Sequence, residues 1–149
     1  MILMLSRMAS SSTDDQWALV LTRLDSVRAD AYLQGDPSLL GSVYVSRSTI
    51  HREDRRTLEG FVSRRARVVD AELRVLSCQV ISSSDRRVRL DVVDQLRDSR
   101  VMWADGTETA LPHDQPSRHV VTLHRTTDGW RIAGVTTDVL TSPRRSSRR

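Results

Sequence analysis

The first third of the chain spaces its apolar residues as amphipathic helices do. Thr13 and Gln16 fit a capping box, so the pattern predicts a helix that begins at Thr13 and ends at Gly35, a residue that tolerates a positive φ. Apolar residues recur at spacings of three and four along this helix. They are Trp17, Val20, Leu21, Leu24, Val27, Ala31 and Tyr32. We therefore expect one face of the helix to pack against a core.

Two shorter helices are predicted next. Asp36 followed by Pro37 is typical of a helix cap and first helical position, which indicates a second helix over residues 37–44. Residues 48–51 are interpreted as a brief strand. Asp54 is then expected to cap a third helix that extends to Arg65.

From Val68 onward the apolar residues alternate with polar ones, which predicts strands. The alternation changes phase between Val75 and Leu76, as it does across a β-bulge or a strong bend. Asp128 and Gly129 form a strong hairpin signal, whereas residues 107–116, with two prolines, are interpreted as a loop. About five strands are expected, at residues 68–80, 88–92, 101–103, 118–125 and 130–140.

The order of these elements predicts an α+β domain. At 149 residues the chain is long enough to bury one core without disulfides or metals. The domain is expected to span residues 14–140, with a disordered arm at residues 1–13 and an Arg-rich disordered tail at residues 141–149. Three amino-terminal helices would pack on a curved, mainly antiparallel sheet.

The net charge of +4 has its origin in the tail. All 23 basic residues are arginines, and the four in residues 144–149 account for the excess over the acidic residues. A flexible basic end makes salt-sensitive, unspecific contacts with polyanions, and no aromatic residue lies beside it to stack on a base. Nucleic acid is therefore disfavoured as a partner.

Metal, cofactor and membrane binding are not expected either. Cys78 is the only cysteine, which excludes an internal disulfide and the thiolate clusters of many metal sites. No histidine pair has metal-ligand spacing with a third ligand, and no Gly-rich phosphate loop is present. The apolar residues 1–5 are too few for a signal peptide or a membrane span, so we expect a cytoplasmic protein.

Two stretches of the sequence resemble a known superfamily. Residues 31–36, Ala-Tyr-Leu-Gln-Gly-Asp, are followed by apolar pairs at 39–40 and 43–44, and residues 128–132 read Asp-Gly-Trp-Arg-Ile. Both are similar to parts of the nuclear-transport-factor-2-like (cystatin-like) superfamily, whose cone-shaped α+β fold includes ketosteroid isomerases, scytalone dehydratase and SnoaL-like polyketide cyclases. Similar small domains are common in actinobacteria. The resemblance implies a cavity at the wide end of a cone and a homodimer formed through the exposed face of the sheet.

Transfer of the isomerase groups onto this sequence disfavours that chemistry. The position of the helix-one tyrosine falls on Arg28, and that of the catalytic base falls near Arg52. Glu53 and Asp54 are nearby carboxylates, but the arginines around them predict a solvated helix start. No catalytic residue is therefore predicted.

Four residues are predicted to bind a ligand. His119 and His124 lie five apart on one strand and so face opposite sides of the sheet. His119 shares its parity with apolar residues and is expected to face the apolar side. A tyrosine hydroxyl beside an apolar surface suits a pocket, whereas tryptophans more often belong to the core. The predicted ligand-binding residues are Tyr32, Tyr44, Trp103 and His119.

The sequence favours a non-catalytic accessory domain that binds a small apolar ligand or a protein partner in or around the cone. The alternative is an enzyme of the polyketide-cyclase or ketosteroid-isomerase kind, acting on a small hydrophobic substrate. A third hypothesis is a nucleic-acid-associated protein that acts through its tail. A carboxylate or histidine inside the cone, with a shifted pKa and a hydrogen-bonded partner, would favour the enzyme.

Overall fold

A computed structural model describes residues 2–112 and 115–137 of the chain. The predicted tail at residues 141–149, the last three residues of the predicted domain and His113 lie outside the described residues. The amino-terminal part folds into two α-helices and a 3₁₀-helix. These are α1 (Ile2–Gln34), the 3₁₀-helix (Pro37–Ser42) and α2 (Thr49–Ser63).

Helix α1 begins at Ile2, so the predicted helix start at Thr13 was wrong. The division of the chain into an arm, a domain and a tail stays a prediction. No glycine or proline occurs before Gly35, and the serines among these residues lower helix propensity only slightly. The predicted end is confirmed. Gly35 has a φ of +64° and terminates the helix, and the Asp36 amide donates to the Ala31 carbonyl.

The second and third helices differ from prediction in type and in start. The second is a 3₁₀-helix, although its predicted cap is confirmed because the Asp36 carboxylate accepts a hydrogen bond from the Ser38 amide. The predicted strand at residues 48–51 is instead the start of α2, where the Ser48 hydroxyl accepts from the His51 amide. Asp54 therefore lies inside α2 and does not cap it.

The strands form two antiparallel sheets that follow the helices in the chain. One sheet has the order β1-β4-β5 and the other β2-β3-β6-β7. The strands are β1 (Arg67–Val69), β2 (Leu73–Ser83), β3 (Arg87–Leu96), β4 (Arg100–Met102), β5 (Glu108–Ala110), β6 (Ser117–Thr126) and β7 (Gly129–Thr137). The α+β prediction is confirmed.

The described residues form seven strands, whereas the sequence predicted about five. The long first strand is divided in two at Asp70, whose φ of +58° is incompatible with extended backbone. The predicted loop at residues 107–116 contains β5, which pairs with β4 across a turn at Gly106 (φ +84°). All three β5 residues are exposed, so no apolar alternation marks this strand in the sequence.

Two other predictions about the sheet are confirmed. The phase change after Val75 is a register shift between β2 and β3, and a second shift follows Val80. The hairpin signal joins β6 to β7, with Gly129 at a φ of +112°. Register shifts such as the two in β2 bend a strand and strengthen its twist. The two shifts therefore bend β2.

The core lies between the helices and the inner face of the four-stranded sheet. Leu40 and Leu58 from the helical side and Leu90 and Leu123 from the sheet are fully buried.

In the described part of the chain, none of the helices combines the length and the apolar character that a membrane crossing requires.

Candidate functional site

A cavity of about 540 Å³ opens between helices α1 and α2 and the inner face of the sheet. Its walls are mostly aliphatic and include Leu21, Val75, Val92, Val121 and Ile132. Charged and polar side chains also line it. They are Asp25, Arg28, Tyr44, Glu53, Asp54, Thr57, Asp94, Ser117 and His119. An apolar concavity with a few polar groups is the usual form of a small-ligand site.

The helical wall of the cavity holds a closed ion pair between Arg28 on α1 and Asp54 on α2. Arg28 Nε donates to Asp54 Oδ2 at 2.7 Å, and Nη2 donates to Oδ1 at 3.0 Å. The hydroxyls of Tyr32 and Tyr44 each donate to one of the same two oxygens, both at 2.6 Å. The Asp54 carboxylate thus accepts four hydrogen bonds, a number that fills its lone pairs.

These contacts fix the charge states of the pair. Burial alone would raise the pKa of Asp54, but the hydrogen bonds and charge of Arg28 hold it below its ordinary value. Burial likewise opposes the charge on Arg28, yet Asp54 raises the pKa of the guanidinium. Burial raises the pKa of both tyrosines well above the ordinary value. The contacts therefore favour the charged form of Asp54 and the protonated form of its tyrosine partners.

The interpretation of Asp54 as part of a solvated helix start was wrong. Its side chain is only 11% exposed. The arginine that pairs with it is Arg28, which is distant in sequence. The nearby Arg55 on α2 pairs instead with Glu59 on the surface.

Asp25 is a second carboxyl group on the α1 wall, one turn before Arg28. Its Oδ2 accepts a hydrogen bond from the Leu73 amide at 2.7 Å. Burial raises the pKa of Asp25 to about 6, although that hydrogen bond and the charge of Arg28 act in the opposite direction. The described residues donate no hydrogen bond to Oδ1, and Asp25 lines the cavity.

A histidine and an aspartate face the cavity from the sheet wall. His119 Nε2 lies 3.1 Å from Asp94 Oδ1, and His119 Nδ1 lies 3.1 Å from the hydroxyl of Thr137. Burial raises the pKa of Asp94, against the opposing charge and hydrogen bond of His119. The cavity therefore has proton-carrying groups on both of its walls.

The four predicted ligand-binding residues occupy three different places. Tyr44 and His119 line the cavity. Tyr32 is buried behind it, where it holds Asp54. Trp103 lies beside the β4–β5 hairpin and donates to the hydroxyl of Thr109, away from the cavity lining. The expected orientation of the histidines is confirmed, since His119 lines the cavity and His124 does not.

Sequence reasoning missed Asp25 and Asp94 and assigned no binding role to Arg28 or Asp54. A signal for three of them was present. Asp25 and Arg28 interrupt the apolar stripe of α1, four residues after Leu21 and Leu24, and Asp94 shares the parity of the buried β3 residues. A charged residue on an apolar face indicates a buried polar site. Asp54 had no such signal, because its helix start was misplaced.

The cavity does not have the form of a metal site. Among residues 2–112 and 115–137, no three His, Cys, Asp or Glu side chains lie together as ligands of one ion would. The absence of a metal or other cofactor stays a prediction.

Comparison with known proteins supports the fold. The intermembrane-space region of the chloroplast protein ARC6 superposes with a TM-score of 0.54 at 9% identity, over 86% of this chain and 95% of that one. A candidate aromatic ring hydroxylase from Novosphingobium aromaticivorans superposes with a TM-score of 0.55 at 14% identity, over 84% of this chain and 90% of that one. The chain has the nuclear-transport-factor-2-like fold. The same fold relates it to the Kfla4162 protein of Kribbella flavida, with a TM-score of 0.53 at 14% identity over 85% and 90%.

No protein-family model matches the sequence. No curated protein matches it either. At identities of 9 to 14%, these structural matches show a shared fold and carry no function over to this chain.

Proposed function

We propose that the cavity binds a small apolar carbonyl compound and transfers a proton at the carbon beside the carbonyl group. The observation that carries this proposal is Asp25. One oxygen of its carboxyl group accepts a hydrogen bond from a backbone amide, the other accepts none from the described residues, and the residue lines an apolar cavity. Its pKa of about 6 lies close to neutral pH, where a general base is both deprotonated and basic enough to accept a proton.

Asp25 has the separate environment that an acid–base group needs. Asp54, on the same wall, is saturated by four donors and cannot accept a proton from a substrate. Among the described residues, Asp25 accepts a hydrogen bond only from the Leu73 amide. Two carboxyl groups whose surroundings separate their pKa values support a division of roles. In this proposal Asp54 is structural and Asp25 carries the proton.

The sheet wall supplies a second acid–base pair. His119 hydrogen-bonds Asp94 and lines the cavity opposite α1. An imidazole held by a carboxylate is a suitable proton carrier. His119 would donate a proton to the other end of the substrate. In this proposal it therefore also contacts the ligand, as the sequence predicted.

The test is exchange of the α-protons of 2-tetralone with deuterium in D₂O, followed by NMR. This ketone is apolar and has acidic C–H bonds next to its carbonyl group. Wild-type protein should accelerate the exchange over buffer, and Asp25→Asn should lose most of that acceleration, about 100-fold, because general acid–base groups typically contribute ~10²–10⁴-fold.

Asp30→Asn is the matched control, since Asp30 lies exposed on the same helix and outside the cavity. It should exchange at the wild-type rate. Equal exchange by wild-type protein and buffer would refute proton transfer. If saturation-transfer NMR still detected 2-tetralone on the protein in that case, the non-catalytic ligand-binding role would take its place.

We also propose that the sheet face pairs two copies of the chain. Strand β2 leaves Leu76 and Ile81 exposed at 44% and 50%, and burial of such apolar residues favours association. Light scattering should then give the mass of a dimer at micromolar concentration, and the Ile81→Asp substitution should shift the measured mass towards that of the monomer. A monomer mass for the unmodified chain would contradict this interface.

A further inference from the structure

Positive and negative side chains are unequal in number on the cavity walls. Among the described residues, four carboxyl groups line the cavity, but only one guanidinium does, that of Arg28. Arg28 is paired with Asp54, so that pair has no net charge. Neither Asp25 nor Glu53 forms a salt bridge with a basic side chain of the described residues. The cavity is therefore negative, although the chain as a whole has a net charge of +4.

Glu53 lies on the face of α2 that forms one wall of the cavity. Ile50, Glu53, Asp54 and Thr57 all line the cavity, at the spacings of three and four that place residues on one face of a helix. Glu53 is exposed, whereas the side chain of Asp54 is only 11% exposed. The carboxylate of Glu53 therefore lies where the cavity opens to solvent, which we call the mouth of the cavity.

The arginines next to Glu53 in the sequence do not neutralise it. Arg52 donates a hydrogen bond to the hydroxyl of Thr49, and Arg55 pairs with Glu59. The described residues donate no hydrogen bond to the Glu53 carboxylate. Its charge is therefore available to a ligand that enters the mouth of the cavity.

The interior of the cavity also favours a positive ligand. Asp25 accepts from the amide of Leu73, two residues before Val75, and Val75 pairs with Asp94 across β2 and β3. The carboxyl groups of the two walls thus lie at the same end of the sheet. Burial is the main cause of the raised pKa of Asp25, and the negative charge of Asp94 adds to it. A neutral apolar ligand would displace water from these carboxyl groups without replacing its interactions, which costs free energy. A positive charge on the ligand offsets part of that cost.

We propose that Glu53 determines the specificity of the cavity by binding a protonated amine on the ligand. The proposal rests on the proposed proton transfer and names its substrate class, which is apolar amino ketones. The hydrocarbon part of such a compound would pack against the aliphatic walls, with a C–H bond next to its carbonyl group at Asp25 and its ammonium group at Glu53. Glu53 binds the substrate and takes no part in moving the proton.

The test is a series of ligands that share one hydrocarbon scaffold and differ in charge. At pH 7, 2-aminotetralin carries an ammonium group, 2-tetralol carries a neutral hydroxyl group, and tetralin-2-carboxylate is an anion. Isothermal titration calorimetry gives the Kd of each. Wild-type protein should bind the amine about tenfold more tightly than the alcohol, because hydrogen bonds to charged groups are stronger than those between neutral groups. The anion should bind more weakly than the alcohol.

Glu53→Gln keeps the size of the side chain and removes its charge. This variant should reduce the preference for the amine over the alcohol about threefold, the effect expected for loss of an exposed ion pair. A general loss of structure would weaken the binding of both ligands and leave their ratio unchanged. Glu59→Gln is the matched control, since Glu59 is exposed on the same helix and lies outside the cavity, and it should keep the wild-type preference. Wild-type protein that fails to bind the amine or binds it no better than the alcohol, or a preference that Glu53→Gln leaves intact, would overturn the proposal.

The binding series and the exchange of 2-tetralone fail independently, because the series needs no turnover and 2-tetralone carries no amine. Exchange of 2-tetralone without a preference for the amine would retain the proton transfer and refute the substrate class. A preference for the amine that depends on Glu53, without any exchange, would support Glu53 as the amine-binding residue and refute the proton transfer.

Discussion

Replacement of Asp54 by asparagine is expected to lower the free energy of unfolding by about 3 kcal/mol, near the lower end of the ~3–5 kcal/mol typical of a broken buried ion pair. The substitution leaves Arg28 charged inside the helical wall and two tyrosine hydroxyls without their anionic acceptor. The measurement is urea unfolding at pH 7, followed by tryptophan fluorescence.

Glu59→Gln is the matched control on the same helix, because it removes an exposed i,i+4 ion pair with Arg55. Such pairs contribute only about 0.3–0.5 kcal/mol. The double variant Arg28→Gln/Asp54→Asn should lose less unfolding free energy than the two single variants lose in total, because no unpaired charge is then left in the helical wall. A loss below 1 kcal/mol for Asp54→Asn would show that the four hydrogen bonds do not hold the helices together.

Replacement of Asp25 by asparagine is expected to stabilise the protein at pH 8 by about 2 to 3 kcal/mol and to change little at pH 4. The pKa of Asp25 is raised from 3.8 to about 6 in the folded state. The protonated group is therefore favoured by folding, and this stabilisation is lost as the pH rises from about 4 through 6. Asparagine keeps an acceptor for the Leu73 amide without the charge.

The measurement is the difference in unfolding free energy between Asp25→Asn and wild type from pH 4 to pH 8. Asp30→Asn, exposed on the same helix, should show no comparable difference. If the difference in unfolding free energy between Asp25→Asn and wild type does not change with pH, the charged form of Asp25 does not destabilise the folded protein. If the exchange experiment also shows proton transfer by Asp25, the two results together will identify a residue that lowers stability in exchange for function, as many active-site groups do.

The helices and the sheet were predictable where hydrophobic pattern and local chemistry agree. The stripe of α1, the stop at Gly35 and the β6–β7 hairpin each carry a local signal that the structure confirms. The start of α2 was not predictable in this way, because Ser48 and Asp54 are both good caps and the choice depends on tertiary contacts of Asp54. Strand β5 has no buried residue and thus no pattern.

The candidate site could be predicted only in part because its groups meet across the fold. The parity of His119 placed it on the apolar side of the sheet, and the structure confirms this. The pairing of Arg28 with Asp54 joins residues 26 positions apart, and the raised pKa of Asp25 results from burial between α1 and β2. Neither burial nor long-range pairing can be obtained from local sequence patterns.

The pH dependence of deuterium exchange into 2-tetralone tests most directly whether Asp25 is a base inside the cavity. Because only the carboxylate accepts a proton, the protein-catalysed rate should rise with pH through about 6, the pKa of Asp25, and level off above it. The plateau should disappear in Asp25→Asn. A wild-type rate that rises without levelling, as catalysis by hydroxide does, or a profile that Asp25→Asn leaves unchanged would contradict the proposed function.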